Sequence, residues 1–454
     1  MKHSINISVL NDTVGIPVST DGVMGIFIKA IAVSGKFALD TPYLLTKLAD
    51  LAALGIDAAY DATNNLAVYQ QVSEFYAQAG DGAYLWLFGV STSTAFGTYV
   101  AGSTFSQLII GTATADPANR VKMIGLCYGV PIATQTSADF PVDVTNTITA
   151  LQTAQQTLFA LGYQFSAIID GYNMKSSATP SGIGTMATKS AFSVSLCITG
   201  TKPNGISAVG LALGRFARIS IGHGFGAVED GPVNTTTAFL TNSVQIPSTG
   251  TLTVGKVYTV YGGSVTYNSA TYAAGSTFTA VTGFTTFTTT TGGTCVENIN
   301  PITNLAPSDI DALGTKQFMF LRTWFSHSGF YWNDGATCDD PTKQLSTQEY
   351  NRVANHLSAG ALVFFINEMG KNLPLDTKTG AVSQAYLNTK QSQFYDEYIQ
   401  PLNVASGTGD VTDGSMVVTG DNFNATKTLT FTLLIVPTPI LGTVNGVVKF
   451  TSTI

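Results

Sequence analysis

Gly250, Gly255 and Lys256 have the spacing of a phosphate-binding loop, in which backbone N–H groups and a lysine cradle phosphate and a following hydroxyl holds magnesium. Val257 stands where that hydroxyl is needed. The alternating Val257 to Tyr261 reads as a strand, so no helix N-terminus is there to receive a phosphate. Gly182, Gly184 and Ala187 take the form of a dinucleotide loop, yet residues 177–181 (SATPS) precede them in place of a buried strand. No carboxylate lies about 20 residues further on to hold a ribose hydroxyl. Gly205, Ser207 and Gly210 resemble a nucleophile elbow with one residue too many before the second glycine. Each loop lacks a member that its chemistry requires.

Histidines are four: His3, His223, His327 and His356. A catalytic triad must recruit one of them. His223, flanked by Gly222 and Gly224, is the most open to a ligand, and a tight turn is the expectation for it. Asp334, Asp339 and Asp340 gather in one loop that could meet a cation but lacks EF-hand spacing, so a solvated acidic loop is expected. No two of Cys127, Cys197, Cys295 and Cys338 are spaced as zinc or redox pairs. Cys127 and Cys197 lie in apolar runs and are expected to be buried structural thiols, whereas Cys295 and Cys338 lie in loop-like sequence. All four read as free thiols of a reducing compartment. The expectation is a protein without catalytic residues, metal or cofactor, hence not an enzyme.

Charge points the same way. Of 454 residues, 28 are acidic and 21 basic, a net charge of −7, and 11% are charged against about 25% in ordinary soluble domains. Hydrophobic residues reach 44%. A soluble monomer covers itself with mixed charge to avoid association, and this chain does not. The strongest apolar stretches, residues 83–90 and 361–366, fall far short of the roughly 18 residues that a spanning helix needs, so no membrane insertion is expected. The alternation of Ile5, Ile7 and Val9 is that of a strand, not a secretory leader. An acidic chain without basic clusters does not neutralise phosphates, which argues against direct nucleic-acid binding. A subunit buried against its neighbours remains.

The elements that position these residues alternate in the first half. Strands are predicted at 24–33, 83–89, 121–127, 165–170 and 192–199, and helices at 43–54, 64–79, 104–113, 144–161 and 206–216. That order implies an α/β layered domain over 23–234. From Thr235 the chain becomes rich in Thr, Gly, Val and Tyr, with turn signals between short alternating runs. Residues 235–298 therefore read as an inserted all-β module, its β-branched and aromatic content favouring strands over a disordered linker. A C-terminal α/β domain over 299–440 opens with a helix start at Pro307 and has strands at 317–324 and 329–332. Ser346 and Glu349 form a capping box for a helix to Met369, a polar helix covers 383–399, and strands are predicted at 415–419 and 429–436. Residues 1–22 and 441–454 read as strand-like arms, with Ile5, Ile7 and Val9 on one face of the first and Val447, Val448 and Phe450 forming the apolar part of the second. An unpaired strand readily completes a neighbour's sheet, so these six are candidate inter-subunit contacts.

The run VYQQVSEFYAQAGDGAYLWLFGV at residues 68–90 sets an aromatic-ended helix, a glycine break and an apolar strand in immediate succession. It resembles the equivalent segment of contractile bacteriophage tail sheath proteins. The opening TDGVMGI at residues 20–26, the run TPYLLTKLADLAALG at 41–55 and the later FMFLRTWFSHSGFYWNDGATCDD at 318–340 are similar to that family as well. The arginines usual in the sheath C-terminal helix are thinned here to Arg352. The resemblance implies a non-enzymatic subunit that packs in six-fold rings stacked helically around a tail tube and contracts by rigid-body shifts to drive the tube into a host envelope. It implies as partners the chain itself, the tube protein, and baseplate and tail terminator proteins, in a virion tail assembled in the bacterial cytoplasm. A static tube, surface-layer or fibre subunit is the alternative that composition allows.

Overall fold

The computed structural model describes residues 22–116, 119–129, 139–172, 174, 182–202, 204–241, 243–246, 250–261, 263–298, 302–366, 371–405, 407–419 and 429–440. The chain divides into two compact units, residues 1–219 with 228–348, and residues 220–227 with 349–454.

The first unit is built on a six-stranded sheet. Strand β1 (Met24–Ala30) is followed by β2 (Pro42–Leu45), helices α1 (Asp50–Ala53), α2 (Ala58–Asn64) and α3 (Val68–Ala79), and β3 (Leu85–Ser91). Then come α4 (Phe96–Ala101), α5 (Ser103–Ala115), β4 (Met123–Cys127), α6 (Val142–Ala160), β5 (Ser166–Asp170), β6 (Val194–Cys197), β7 (Thr199–Gly200) and α7 (Val209–Arg218). The strand order is β2-β3-β1-β4-β5-β6, parallel throughout except β2. β1, β4, β5 and β6 are buried at every position, as expected of parallel strands covered on both faces by helices.

Two of the predicted helices are corrected. Residues 43–54 are not one helix: Pro42–Leu45 pair antiparallel with the edge of β3, where a proline without an N–H is tolerated. Thr46 N, Thr46 Oγ1 and Lys47 N all donate to Asp50 Oδ2, and this turn delays the helix to Asp50. Residues 64–79 are likewise interrupted. Asn65 adopts φ 53° and ends α2, and the Asp61 carboxylate then accepts from Val68 N and Gln70 N to start α3.

Packing of α3 on α7 explains the glycines around Ser207. A Cβ at Gly210 would lie 1.9 Å from Gln71 O, and one at Gly214 2.5 Å from Phe75 O, so only glycine permits this approach. Ala208 offers no side chain to cap α7. Gln71 does so from α3, its Oε1 accepting from Gly210 N at 2.6 Å and its Nε2 donating to Ser207 O at 2.8 Å.

Strand β8 (Phe239–Leu240) pairs with β7. Strands β9 (Ser243–Ile246), β10 (Val257–Tyr261), β11 (Val265–Tyr267), β12 (Ala270–Tyr272), β13 (Thr277–Thr279), β14 (Thr288–Thr289) and β15 (Thr294–Asn298) follow. They form two sheets, β13-β10-β15-β9 and β12-β11-β14, around a core of their own that includes Tyr258, Val260, Tyr267, Phe278 and Cys295. Helix α8 (Pro307–Thr315) and the hairpin β16 (Leu321–Trp324) and β17 (His327–Trp332) complete the first unit. Residues 299–348 thus pack within this unit.

Helix α9 (Gln348–Ile366) begins two residues after Ser346, and its first residue is the last of the first unit. Gln348 is fully buried and its Nε2 donates to Ser195 Oγ at 2.8 Å. Beyond it, α9 joins α10 (Gln384–Phe394), which continues as a π turn over Tyr395–Ile399, and the hairpin β18 (Val411–Thr419) and β19 (Thr430–Pro437). Val353, Leu357, Phe364, Phe394, Ile399, Met416 and Val418 form the core of this second unit. Residues 220–227 belong to it through Asp410, whose Oδ1 accepts from Gly222 N at 2.8 Å and Ser220 Oγ at 2.7 Å.

Candidate assembly surfaces

In an open parallel sheet, ligands bind beyond the strand C-termini where the connection direction reverses, here between β1 and β4. Beyond the C-terminal ends of β1 and β3, polar backbone groups are taken by the protein's own side chains. Lys29, only 3% exposed, donates its Nζ to Ser91 O at 3.3 Å and to Thr94 O, and lies 4.0 Å from the centre of the Phe96 ring. Burial lowers its pKa to about 8, against the partly compensating charge of Asp143. The first N–H groups of α4, which a phosphate would otherwise take, are held by Asp143: Phe96 N at 2.8 Å and Gly97 N at 2.9 Å. Neither residue carries a sequence signal of this role, because it follows from tertiary register.

The loops singled out by spacing have structural uses. Gly255 turns into β10, a strand, and Lys256 pairs with Glu297 at 3.6 Å. Gly184 N donates to Asp139 Oδ2 at 2.8 Å and Met186 N to Lys316 O at 2.9 Å, which ties this loop to α8. Ser207 is buried, its N donating to Asp170 Oδ1 at 2.8 Å and its Oγ to Cys197 O at 2.5 Å. Burial pushes the Asp170 carboxyl up to about 7, although Ser207 and Tyr128 N–H groups favour its charged form. Burial likewise raises Glu74, which accepts from Gln70 Nε2 at 3.0 Å.

His223 stands in a turn closed by its own N–H to Ser220 O at 3.4 Å. Asp334 accepts from Ala336 N, Asp339 from Lys343 Nζ at 2.8 Å, and Asp340 from Thr342 N and Oγ1, so each carboxylate of the acidic loop is engaged by its own turn. No group of three metal-ligating side chains occurs among the described residues. All four cysteines are free and buried, including Cys295 in β15 and Cys338, which the sequence placed in loops; burial pushes both of these thiols up to about 12. No helix among the described residues is long and apolar enough to cross a membrane.

What the chemistry does not claim, an exposed sheet does. β18 and β19 form a two-stranded sheet whose inner face, Gly414, Met416 and Val418, lies on the second unit's core. Its outer face presents Val417, Leu434 and Val436 to solvent. Among the described residues neither strand has a second strand partner, β18 being met at Val411 by a single bridge to Asn403. A strand edge that no further strand takes is a template for one. The arm residues Ile5, Ile7, Val9, Val447, Val448 and Phe450 lie outside the described residues.

No curated protein matches the chain in sequence. Among solved structures, it is similar to a protein of the anti-feeding prophage baseplate (TM-score 0.53, 9% identity, 100% of both chains). A protein of that system's helical sheath in the contracted state matches as well (0.53, 9%, 99% of both). So does one from the PVC sheath complex of an extracellular contractile injection system (0.51, 10%, 99% of this chain and 97% of that one). The fold, over both units, is that of contractile injection system sheath proteins, as the sequence resemblance implied. Residues 3–252, more than half of the chain, match the DUF2586 N-terminal domain, and the chain belongs to the DUF2586 family.

Proposed function

We propose that this protein is the structural subunit of a contractile tail sheath, polymerising in stacked rings around a tail tube and contracting to drive that tube into a host envelope. The observation that carries the reading is likeness to sheath subunits along essentially the whole chain, both units included. Three further features support it. Charge is scarce, Lys29 and Asp143 take the polar backbone groups that follow β3, and among the described residues the β18–β19 sheet has no third strand.

In this reading the terminal arms, through Ile5, Ile7, Val9 and Val447, Val448, Phe450, add strands to those edges on neighbouring subunits and hold the lattice while the cores shift. The tube, baseplate and terminator proteins are its other partners, and the virion tail, assembled in the bacterial cytoplasm, its place. Residues 235–298 are an inserted module, a view supported by their separate core and by the pairing of Ser243 with Asn298, which sets entry beside exit. No catalytic step is required, since contraction draws on a bistable packing of the assembled subunits. Negative-stain images of the purified chain test the reading. Hollow cylinders wide enough to enclose a tube are expected; flat lattices or thin fibres would instead support a static shell or fibre subunit.

A further inference from the structure

The hairpin β16–β17 turns through Phe325 and Ser326, and Phe325 is 97% exposed, where among the described residues the next most exposed large apolar side chains reach 62%. The root beneath it is firmly held. Leu321, Phe330, Tyr331 and Trp332 are buried, and Phe330 O accepts from Val233 N at 2.8 Å. The Arg322 guanidinium lies 3.7 Å from the centre of the Trp324 ring, and its Nη1 donates to Asn333 Oδ1 at 3.3 Å. Ser326 sits at φ 62°, a region few residues other than Gly and Asn enter readily. A braced hairpin thus holds a bare phenyl ring in water beside a stacked Arg–Trp pair. Aromatic residues and arginine are the types enriched where protein partners dock.

We propose that Phe325 is an anchor of subunit association that inserts into a second copy of this chain. The choice of partner rests on the sheath reading and on the chemistry of the tip. Arg322, the cation at its root, is already engaged by Trp324 and Asn333 with Asp311 and Asp334 nearby, and Ser326 and Ser328 are neutral. A nucleic acid or a strongly charged protein gains little there. The chain's own surface is the matching kind, with 11% charged residues overall and exposed Val417, Leu434 and Val436 on one sheet face. A projection on one copy that fits a different surface on the next makes a heterologous contact, which propagates into rings or helical polymers.

The test uses the full chain with a photoreactive benzophenone side chain at position 325, irradiated in a mixture of isotopically labelled and unlabelled protein. Crosslinks joining labelled to unlabelled chains are expected. Phe325→Ser should leave the melting temperature unchanged while raising the critical concentration for sedimentable polymer roughly tenfold to a hundredfold, the factor that burial of one large apolar side chain represents. Crosslinks within one chain only, or none, overturn the proposal. So does a Phe325→Ser protein that assembles at the wild-type concentration. Micrographs separate the two readings. Cylinders from Phe325→Ser would remove this contact and leave the sheath standing, whereas fibres or flat sheets crosslinked through position 325 would remove the sheath and leave the contact.

Discussion

Replacing Gly210 by alanine tests the account of the first unit most directly, because one methyl group meets backbone and not a side chain that can turn away. The new Cβ would fall 1.9 Å from Gln71 O, 2.7 Å from its carbonyl carbon and 3.1 Å from its Cα. Helix α7 must therefore move away from α3 by about 1 Å, a form of overpacking that costs about 1–3 kcal/mol. The same shift stretches the hydrogen bonds from Gly210 N to Gln71 Oε1 and from Gln71 Nε2 to Ser207 O, each worth about 1 kcal/mol net. The expected loss is about 3–5 kcal/mol, a large share of the ~5–15 kcal/mol that holds a typical domain. Gly111 supplies the control. It is also helical, in α5, but nothing lies within 4 Å of its would-be Cβ. Gly111→Ala should stabilise by about 0.5–1 kcal/mol through backbone entropy alone. Urea unfolding of the non-assembled chain, followed by far-ultraviolet circular dichroism, reads both. If Gly210→Ala costs less than about 1 kcal/mol, or Gly111→Ala costs as much as Gly210→Ala, the close approach of α3 and α7 is wrong.

Stability should also depend on pH through Asp170, whose pKa burial lifts to about 7 from an unfolded value near 4. Its stabilising contribution is full below about pH 4 and is lost as pH rises through 7, on the order of 4 kcal/mol in all; Asp170→Asn should flatten that slope in urea titrations at pH 5 and 8, and an unchanged slope would discount the group. Deleting residues 243–296 with a short Gly/Ser link should leave a folded, assembling protein, because Ser243 and Asn298 are register partners; aggregation with loss of helical circular dichroism would count against a separate module. Removing residues 1–12 or 443–454 should give a soluble, cooperatively melting monomer that no longer polymerises. A sharply lowered melting temperature, or normal cylinders without either arm, would show that the arms do not link subunits.

What the sequence reveals and what it hides follow from the range of the interactions involved. Parallel strands such as Met123–Cys127 and Ser166–Asp170 are legible because burial on both faces writes an unbroken apolar run, and helix Val142–Ala160 because its period repeats over five turns. Pro42–Leu45 are not, since the same Tyr-Leu-Leu triplet suits a helix until the edge of β3 offers it hydrogen bonds. Glu349 illustrates a signal that marks the right place for a different reason: the helix does start beside it, but its Oε1 takes the N–H of Phe225, 124 residues away. Gly205, Ser207 and Gly210 look like chemistry because catalytic elbows and close-packed helices both require glycine where backbones meet, and spacing alone does not say which. The choice is made by Gln71, more than 130 residues upstream, whose amide reaches the start of α7. Exposed apolar features are hidden for the converse reason. Phe325 falls between the strands predicted at 317–324 and 329–332, and it becomes a projection because Ser326 turns the chain there. Likewise the alternation of β18 specifies a buried face but carries no record of whether its edges are paired within the subunit or left for a neighbour. The residues open to a partner are those that intramolecular packing leaves unused, and local patterns, which arise from intramolecular packing, contain the least information about them.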